Sequence, residues 1–204
     1  MSFTRAQLEA VRGRSVPDLL GDDMRLLFVG INPGLWTAAA QAHFAKRGNR
    51  FYPALFLAGL STRLIDASAG MGVEDAADLR RRGVGITNLV NKATARADEL
   101  TAEELELGAV DLTAKVGTFK PRVVVMLGVT AYRIAFKKPR ATTGWQSEDM
   151  AGAELLIAGN PSGLNAHETI PTLAAAFAEA AKRAGVIVLR KSESSSQGRR
   201  RASE

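Results

Sequence analysis

The sequence predicts an α/β fold: three α/β/α layers around a central, mainly parallel sheet. Three observations predict it. Several short apolar runs lack the polar alternation of half-exposed strands, as parallel strands covered on both faces do. Helical stretches with recognisable ends lie between these runs. The first and third runs lead directly into glycine-bearing Asn-Pro turns, and open α/β sheets bind ligands outside the carboxyl ends of their strands.

The first run is Leu26-Leu27-Phe28-Val29, ended by Gly30. Val123-Val124-Val125-Met126-Leu127 ends at Gly128, Leu155-Leu156-Ile157-Ala158 ends at Gly159, and Val186-Ile187-Val188-Leu189 is a fourth candidate strand. Residues 83–90 read as either a short strand or an irregular loop. Thr101-Ala102-Glu103-Glu104 is a capping box. It opens a helix reaching about Thr118, with Leu105, Leu107, Val110, Leu112 and Val116 as its expected inward stripe. Pro171 to Ala184 is alanine-rich, begins with proline near N1 and stops at Gly185, as a helix should. Tyr52 to Leu60 reads as a shorter helix. Strands alternating with helices imply right-handed crossovers.

The chain has 204 residues, 46% hydrophobic and 24% charged, which suits one domain with its own core. Residues 1–189 are expected to form that domain, with 1–24 as a helical N-terminal extension. Residues 190–204 are expected to be a disordered basic tail, since Ser192–Glu204 has almost nothing to bury. The chain has no cysteine and two histidines, His43 and His167. That excludes disulfides, thiolate zinc sites, a cysteine nucleophile and a histidine-rich metal centre. No metal and no cofactor are expected. No apolar run is long enough to span a membrane. The charged, amphipathic stretch Met1–Arg14 has no apolar core of a signal peptide. A cytoplasmic monomer is expected. The net charge is +6 and the pI about 10.0. Five basic and two acidic residues in 190–204 supply half of that excess. Charge alone weighs nucleic-acid binding evenly against a solvated basic tail.

The chemistry lies in two loops. Gly30-Ile31-Asn32-Pro33-Gly34-Leu35 follows the first strand. Pro33 restricts Asn32 to extended or turn geometry, and Asn32 offers both a donor and an acceptor. On its own this is an ordinary strand-to-helix turn. Gly159-Asn160-Pro161-Ser162-Gly163-Leu164-Asn165 follows the third run. Its small residues, Ser162 among them, could pass close to a phosphodiester backbone. Leu164 is either a hydrophobic anchor for the loop or a wedge for a base stack.

Together the loops resemble the mismatch-specific uracil and thymine DNA glycosylase family, which carries a Gly-Ile-Asn-Pro-Gly loop and a later Asn-Pro-Ser-Gly-Leu loop. Asn49-Arg50-Phe51 resembles a family segment at a matching distance from the first loop, and Thr87-Asn88-Leu89-Val90 resembles a central one, all in order. The similarity runs from about Arg25 to Leu189. It implies a uracil-DNA glycosylase-like fold and hydrolysis of the bond between a damaged base and deoxyribose. The substrate implied is uracil opposite guanine in double-stranded DNA, in base excision repair. No lysine lies within either loop to form a Schiff base, so the enzyme would be monofunctional. A broader uracil glycosylase that also takes single strands, and a catalytically weak protein that binds mismatched or abasic DNA, are the competing readings.

By this resemblance Asn32 positions the attacking water. Phe44 stacks on the flipped base, against a plainer reading as core packing beside Phe51. Backbone around Ile31 and Phe44 reads the pyrimidine edge, and Thr37 borders its C5 side. Leu164 fills the vacated stack, while Gly163 and Asn165 lie near the unpaired guanine. Lys46, Arg47, Arg50 and Ser162 are candidate phosphate contacts; Arg50 could instead form an internal ion pair. Three positions depart from the family. Asn91 stands where an acidic residue is frequent, and either orients a water or holds its loop. Asn88 stands where some members have lysine, and is placed with Asn91 in the base pocket. Ala166 and His167 occupy a stretch where an arginine is common.

Overall fold

The computed structural model describes residues 2–163 and 168–189. Leu164, Asn165, His167 and the basic tail lie outside the described residues, and with them the expected wedge and part of the guanine contact.

A five-stranded sheet organises the domain, in the order β2-β1-β3-β5-β4. Its strands are β1 (Leu26–Gly30), β2 (Val84–Asn88), β3 (Val123–Leu127), β4 (Gly144–Trp145) and β5 (Glu154–Ala158). β1 pairs in parallel with β2 and β3, and β3 with β5; only the two-residue edge strand β4 runs antiparallel. β1, β2 and β3 are buried along their whole length, which is why their sequences show no polar alternation. Residues 83–90 thus contain a strand rather than an irregular loop.

Successive side chains still point to opposite faces. Leu26 and Phe28 join one core layer with α3 (Phe51–Leu57), α4 (Val73–Arg81) and α7 (Ile170–Ala184). Leu27 and Val29 join the other with α5 (Ala102–Phe119) and α6 (Val129–Ala135). Phe28 meets Phe51 edge-on at 5.3 Å and Phe177 of α7 at 4.7 Å. Sheet, α3 and α7 therefore share one aromatic cluster.

The helix ends follow the sequence signals closely. Thr101 and Glu104 form the expected reciprocal cap of α5. α7 carries proline in its first turn and stops at Gly185, which has φ 69°. α3 starts at Phe51 and ends at Leu57, shorter than the expected 52–60 segment.

Three expectations are corrected. Residues 186–189 form no strand: Ile187 is 74% exposed, and the segment instead donates from Leu189 N–H to the Gly59 carbonyl. Only Val186 of that run is buried, so its apolar character does not reflect two covered faces. In α5, Leu105, Leu112 and Val116 face inward but Leu107 and Val110 are exposed. Ala109 and Gly108 complete the inner face instead. The 1–24 extension is helical only over α1 (Arg5–Glu9). Beyond it the chain runs along the domain, and Leu19 forms an antiparallel bridge with Ile86 of β2. The first Asn-Pro loop flows into α2 (Leu35–Ala40), a short helix whose buried side chains include Thr37.

α5 positions the segment after β2 by close approach. A Cβ on Gly108 would lie 2.5 Å from the Leu89 carbonyl oxygen, a backbone atom that cannot rotate away. Helix propensity alone favours Gly108→Ala by about 1 kcal/mol. The contact reverses the sign: urea unfolding should show Gly108→Ala to be less stable than the wild type.

Candidate active site

The carboxyl ends of β1 and β2 meet in register, with Gly30 opposite Asn88. Gly30 has no side chain, and two groups occupy the space above it. A Cβ there would lie 2.5 Å from Asn88 Oδ1 and 3.1 Å from Cζ of Phe44. Gly30 thus permits a crevice roofed by an aromatic ring and an amide. Ile31 packs at the neighbouring strand end, where a Cβ on Gly128 would lie 2.9 Å from its Cδ1.

Phe44 reaches the crevice from the segment between α2 and α3. Its φ is 55°, in the left-handed region that a bulky residue rarely adopts. Its ring stacks on Phe51 at 4.1 Å and 23°. Phe51 in turn abuts Phe28, so the aromatic cluster of the core continues to the crevice. The two sequence readings of Phe44 are therefore compatible: one ring face packs on Phe51, and the half-buried residue still borders the strand ends.

Asn32, two residues past Gly30, has its amide pinned. Nδ2 donates to the carbonyls of Lys92 (2.9 Å) and Pro33 (3.2 Å), and to Thr94 Oγ1 (2.7 Å). The Thr94 hydroxyl donates onward to the Arg96 carbonyl at 2.7 Å, so toward Asn32 it can only accept. Carbonyls only accept as well. The nitrogen end must therefore face this nest, and Oδ1, which bonds to no described residue, faces away from it. Thr94 and the Lys92 carbonyl were not legible as partners in the sequence, because about sixty residues separate them from Asn32.

Asn88 is buried, and its Nδ2 lies 3.2 Å from Nδ1 of the buried His43. His43 Nε2 lies 3.0 Å from the Pro17 carbonyl. Burial lowers the His43 pKa from its ordinary 6.5. The Tyr52 hydroxyl donates to the His43 main-chain carbonyl at 2.9 Å, and burial raises that phenol's pKa.

Asn91 latches the N-terminal segment. Its Oδ1 accepts from Val16 N–H at 2.9 Å, and its Nδ2 donates to the Val16 carbonyl at 2.8 Å. Both ends of the amide are engaged on the N-terminal segment, which supports the loop-holding role.

Arg50 forms a brace. It donates from its guanidinium to the Ser162 carbonyl at 2.8 Å, and from its backbone N–H to the Pro161 carbonyl at 2.9 Å. Gly163 approaches Gly48 so closely that a Cβ would lie 2.9 Å from the Gly48 carbonyl oxygen. The Asn49-Arg50-Phe51 stretch thus ties the second Asn-Pro loop to the strand ends through the Ser162 and Pro161 carbonyls. Ser162 N–H is turned back onto Asn160 Oδ1 at 2.9 Å. Lys46 and Arg47 are exposed beside this brace. Thr37 is buried in α2. The Ile31 carbonyl accepts from Val90 N–H at 2.9 Å, so β2's continuation uses it. Among the described residues no group of three or more acidic, histidine or cysteine side chains could hold a metal ion, and no helix is long and apolar enough to cross a membrane.

A three-layer domain with polar loops gathered at the carboxyl ends of parallel strands defines the class: an α/β protein with its ligand site at the strand ends. The chain belongs to the uracil DNA glycosylase superfamily, whose family profile matches residues 17–183. The fold is also similar to the solution structure of a provisionally designated uracil DNA glycosylase from Methanosarcina acetivorans. That match has a TM-score of 0.58 and 15% identity, and covers 82% of this chain and 97% of the other.

The latch assignment has a stability consequence. Asn91→Ala leaves the Val16 N–H and carbonyl without partners. Denaturant unfolding should register a loss of about 1–3 kcal/mol.

Proposed function

We propose that this protein is a monofunctional DNA glycosylase that releases uracil opposite guanine from double-stranded DNA. The observation that carries the reading is the pinned amide of Asn32, with its nitrogen held by three acceptors and its oxygen turned away from them, just past the end of β1. An oxygen in that position accepts a hydrogen bond from water and aims a lone pair of that water at a sugar carbon.

The reaction breaks the bond between C1′ and the base nitrogen and forms one between C1′ and water oxygen. The base takes the electron pair, and the proton released by water neutralises it. An amide is a poor base, so bond breaking leads and water adds late. The target nucleotide is first extruded from the duplex, at a cost of a few kcal/mol that is smaller for a mispair. The uracil then lies against the Phe44 ring with its edge toward Asn88, and Thr37 borders its C5 side. Leu164 enters the vacated stack, with Gly163 and Asn165 beside the unpaired guanine. Lys46, Arg47 and the Arg50–Ser162 brace lie along the phosphates, which gives affinity and salt dependence rather than base choice. The motif loops carry no lysine. Lys92, whose carbonyl receives Asn32, has its ammonium on Glu104.

Single-turnover base release from G·U, A·U, G·T and single-stranded uracil substrates tests this reading. Release should be fastest from G·U. Asn32→Ala should still bind lesion DNA but lose about 10²-fold or more in rate, the scale of a preorganised catalytic contact. A folded Asn32→Ala protein with wild-type rates would remove Asn32 from the chemistry.

The wedge role gives a separate ordering. Leu164→Ala should slow release from A·U more than from G·U, because re-pairing competes harder there, and should leave single-strand release least affected. Equal defects on all three substrates would refute the wedge.

A further inference from the structure

We infer that His43 sets the hydrogen-bonding polarity of the base pocket, and with it the choice of uracil over cytosine, by holding the Asn88 amide in one of its two orientations. This builds on the glycosylase reading of the site.

A side-chain amide offers an acceptor at one end and donors at the other, and a half-turn exchanges them. The Watson–Crick edge of uracil presents an N3–H donor beside the O4 acceptor. Cytosine presents a bare N3 acceptor beside an amino donor. Glycosylases read this edge on the flipped base. An amide with its oxygen toward the base accepts the uracil N3–H. The same amide turned over offers its NH2 to the cytosine N3. Asn88 therefore discriminates only if something fixes its orientation.

His43 supplies that constraint. The Pro17 carbonyl can only accept, so Nε2 of His43 carries the ring proton. In a neutral imidazole Nδ1 is then bare and can only accept. Asn88 must turn Nδ2 toward it, at 3.2 Å. That sends Oδ1 over Gly30, next to the Phe44 ring edge. Oδ1 has no partner among the described residues. No fully buried side-chain polar atom there lacks one, so Oδ1 keeps some contact with solvent, and it is the acceptor inferred for the base.

The constraint requires a neutral ring. Burial disfavours the imidazolium. The charges that face His43 are the Asp18 carboxylate, which favours the imidazolium, and the Lys115 ammonium, which opposes it. These two are paired with each other, and both contact the Thr87 hydroxyl. Tyr52 bonds to the His43 carbonyl rather than to its ring, and Phe44, 6.4 Å away, is uncharged. In acid, a proton on Nδ1 turns the acceptor into a donor. The Asn88 amide must then rotate to present its oxygen to His43 and its NH2 to the pocket. Uracil release should fall on the acid side of the rate profile, below the ordinary histidine value of 6.5.

The test is single-turnover uracil release from G·U duplex between about pH 5 and 8, the range of histidine titration. The proteins compared are the wild type, His43→Asn, His43→Leu, Asn88→Ala and the His43→Leu/Asn88→Ala double variant. The wild type should lose rate toward acid. His43→Asn places an amide oxygen near the Nδ1 position but does not titrate, so it should keep most of the neutral-pH rate without the acid loss. His43→Leu should be slower by about tenfold, the scale of one lost hydrogen bond, and should add little to Asn88→Ala in the double variant. An acid loss that persists in His43→Asn or Asn88→Ala, or fully additive defects, would overturn the inference. If the His43 variants do not fold, the Asn88→Ala profile decides alone. A wild type that releases uracil without an acid loss refutes the role of His43 only. A folded wild type that releases no uracil refutes the glycosylase reading itself.

Discussion

The site depends on an absent side chain. Parallel register sets Gly30 opposite Asn88 at the ends of β1 and β2, and a Cβ at Gly30 would overlap the Asn88 oxygen at 2.5 Å and press on the Phe44 ring at 3.1 Å. Strand ends in α/β sheets are natural ligand sites because loops diverge there. Here the missing methyl lets the Asn88 amide and the Phe44 ring close in over the end of β1. The strained φ of Phe44 and its stack on Phe51 then place an aromatic wall in the space that Gly30 leaves.

Three asparagines follow the strand ends, and their surroundings make them differ. Asn32 has its nitrogen engaged and its oxygen turned away. Asn91 has both ends engaged on one backbone residue. Asn88 has its nitrogen engaged on an imidazole and its oxygen over the crevice. An amide bonded at one end has a fixed direction, whereas one bonded at both ends ties two segments together. The same residue type is thus held in two different ways within four residues of β2 and its continuation.

Much of this architecture was legible in the sequence, for identifiable reasons. Strands buried along their length announce themselves by composition, and α5 and α7 by their caps. The Asn-Pro loops could be located because they directly follow such strands. Features that depend on distant partners were not legible. Leu107 and Val110 look like core residues until the helix is docked on its Leu105–Leu112–Val116 face. The 186–189 run has strand composition but no neighbouring strand to pair with. α4 buries only Leu79, so its apolar signal is weak. His43 carries no local mark, since its ring partners are a main-chain carbonyl 26 residues before it and an amide 45 residues after it. Asn91 showed the opposite limit: its position suggested chemistry, and only the Val16 contacts reveal a fastener.

The stretch from Gly13 to Leu19 has a consequence in time as well as space. It exchanges backbone bonds with Ala93 and Ile86, receives Asn91 at Val16, supports His43 through Pro17, and meets Thr87 through Asp18. These residues leave the ribosome before every partner they join. Val16 must wait for the synthesis of 75 further residues before Asn91 can reach it. Loops of that span close late, because ordering the intervening chain precedes the gain. The first Asn-Pro loop is therefore complete in sequence long before the belt beneath it can be fastened. The nascent chain passes through a stage in which the residues of β1 are made but the partners of the Gly13–Leu19 stretch are not.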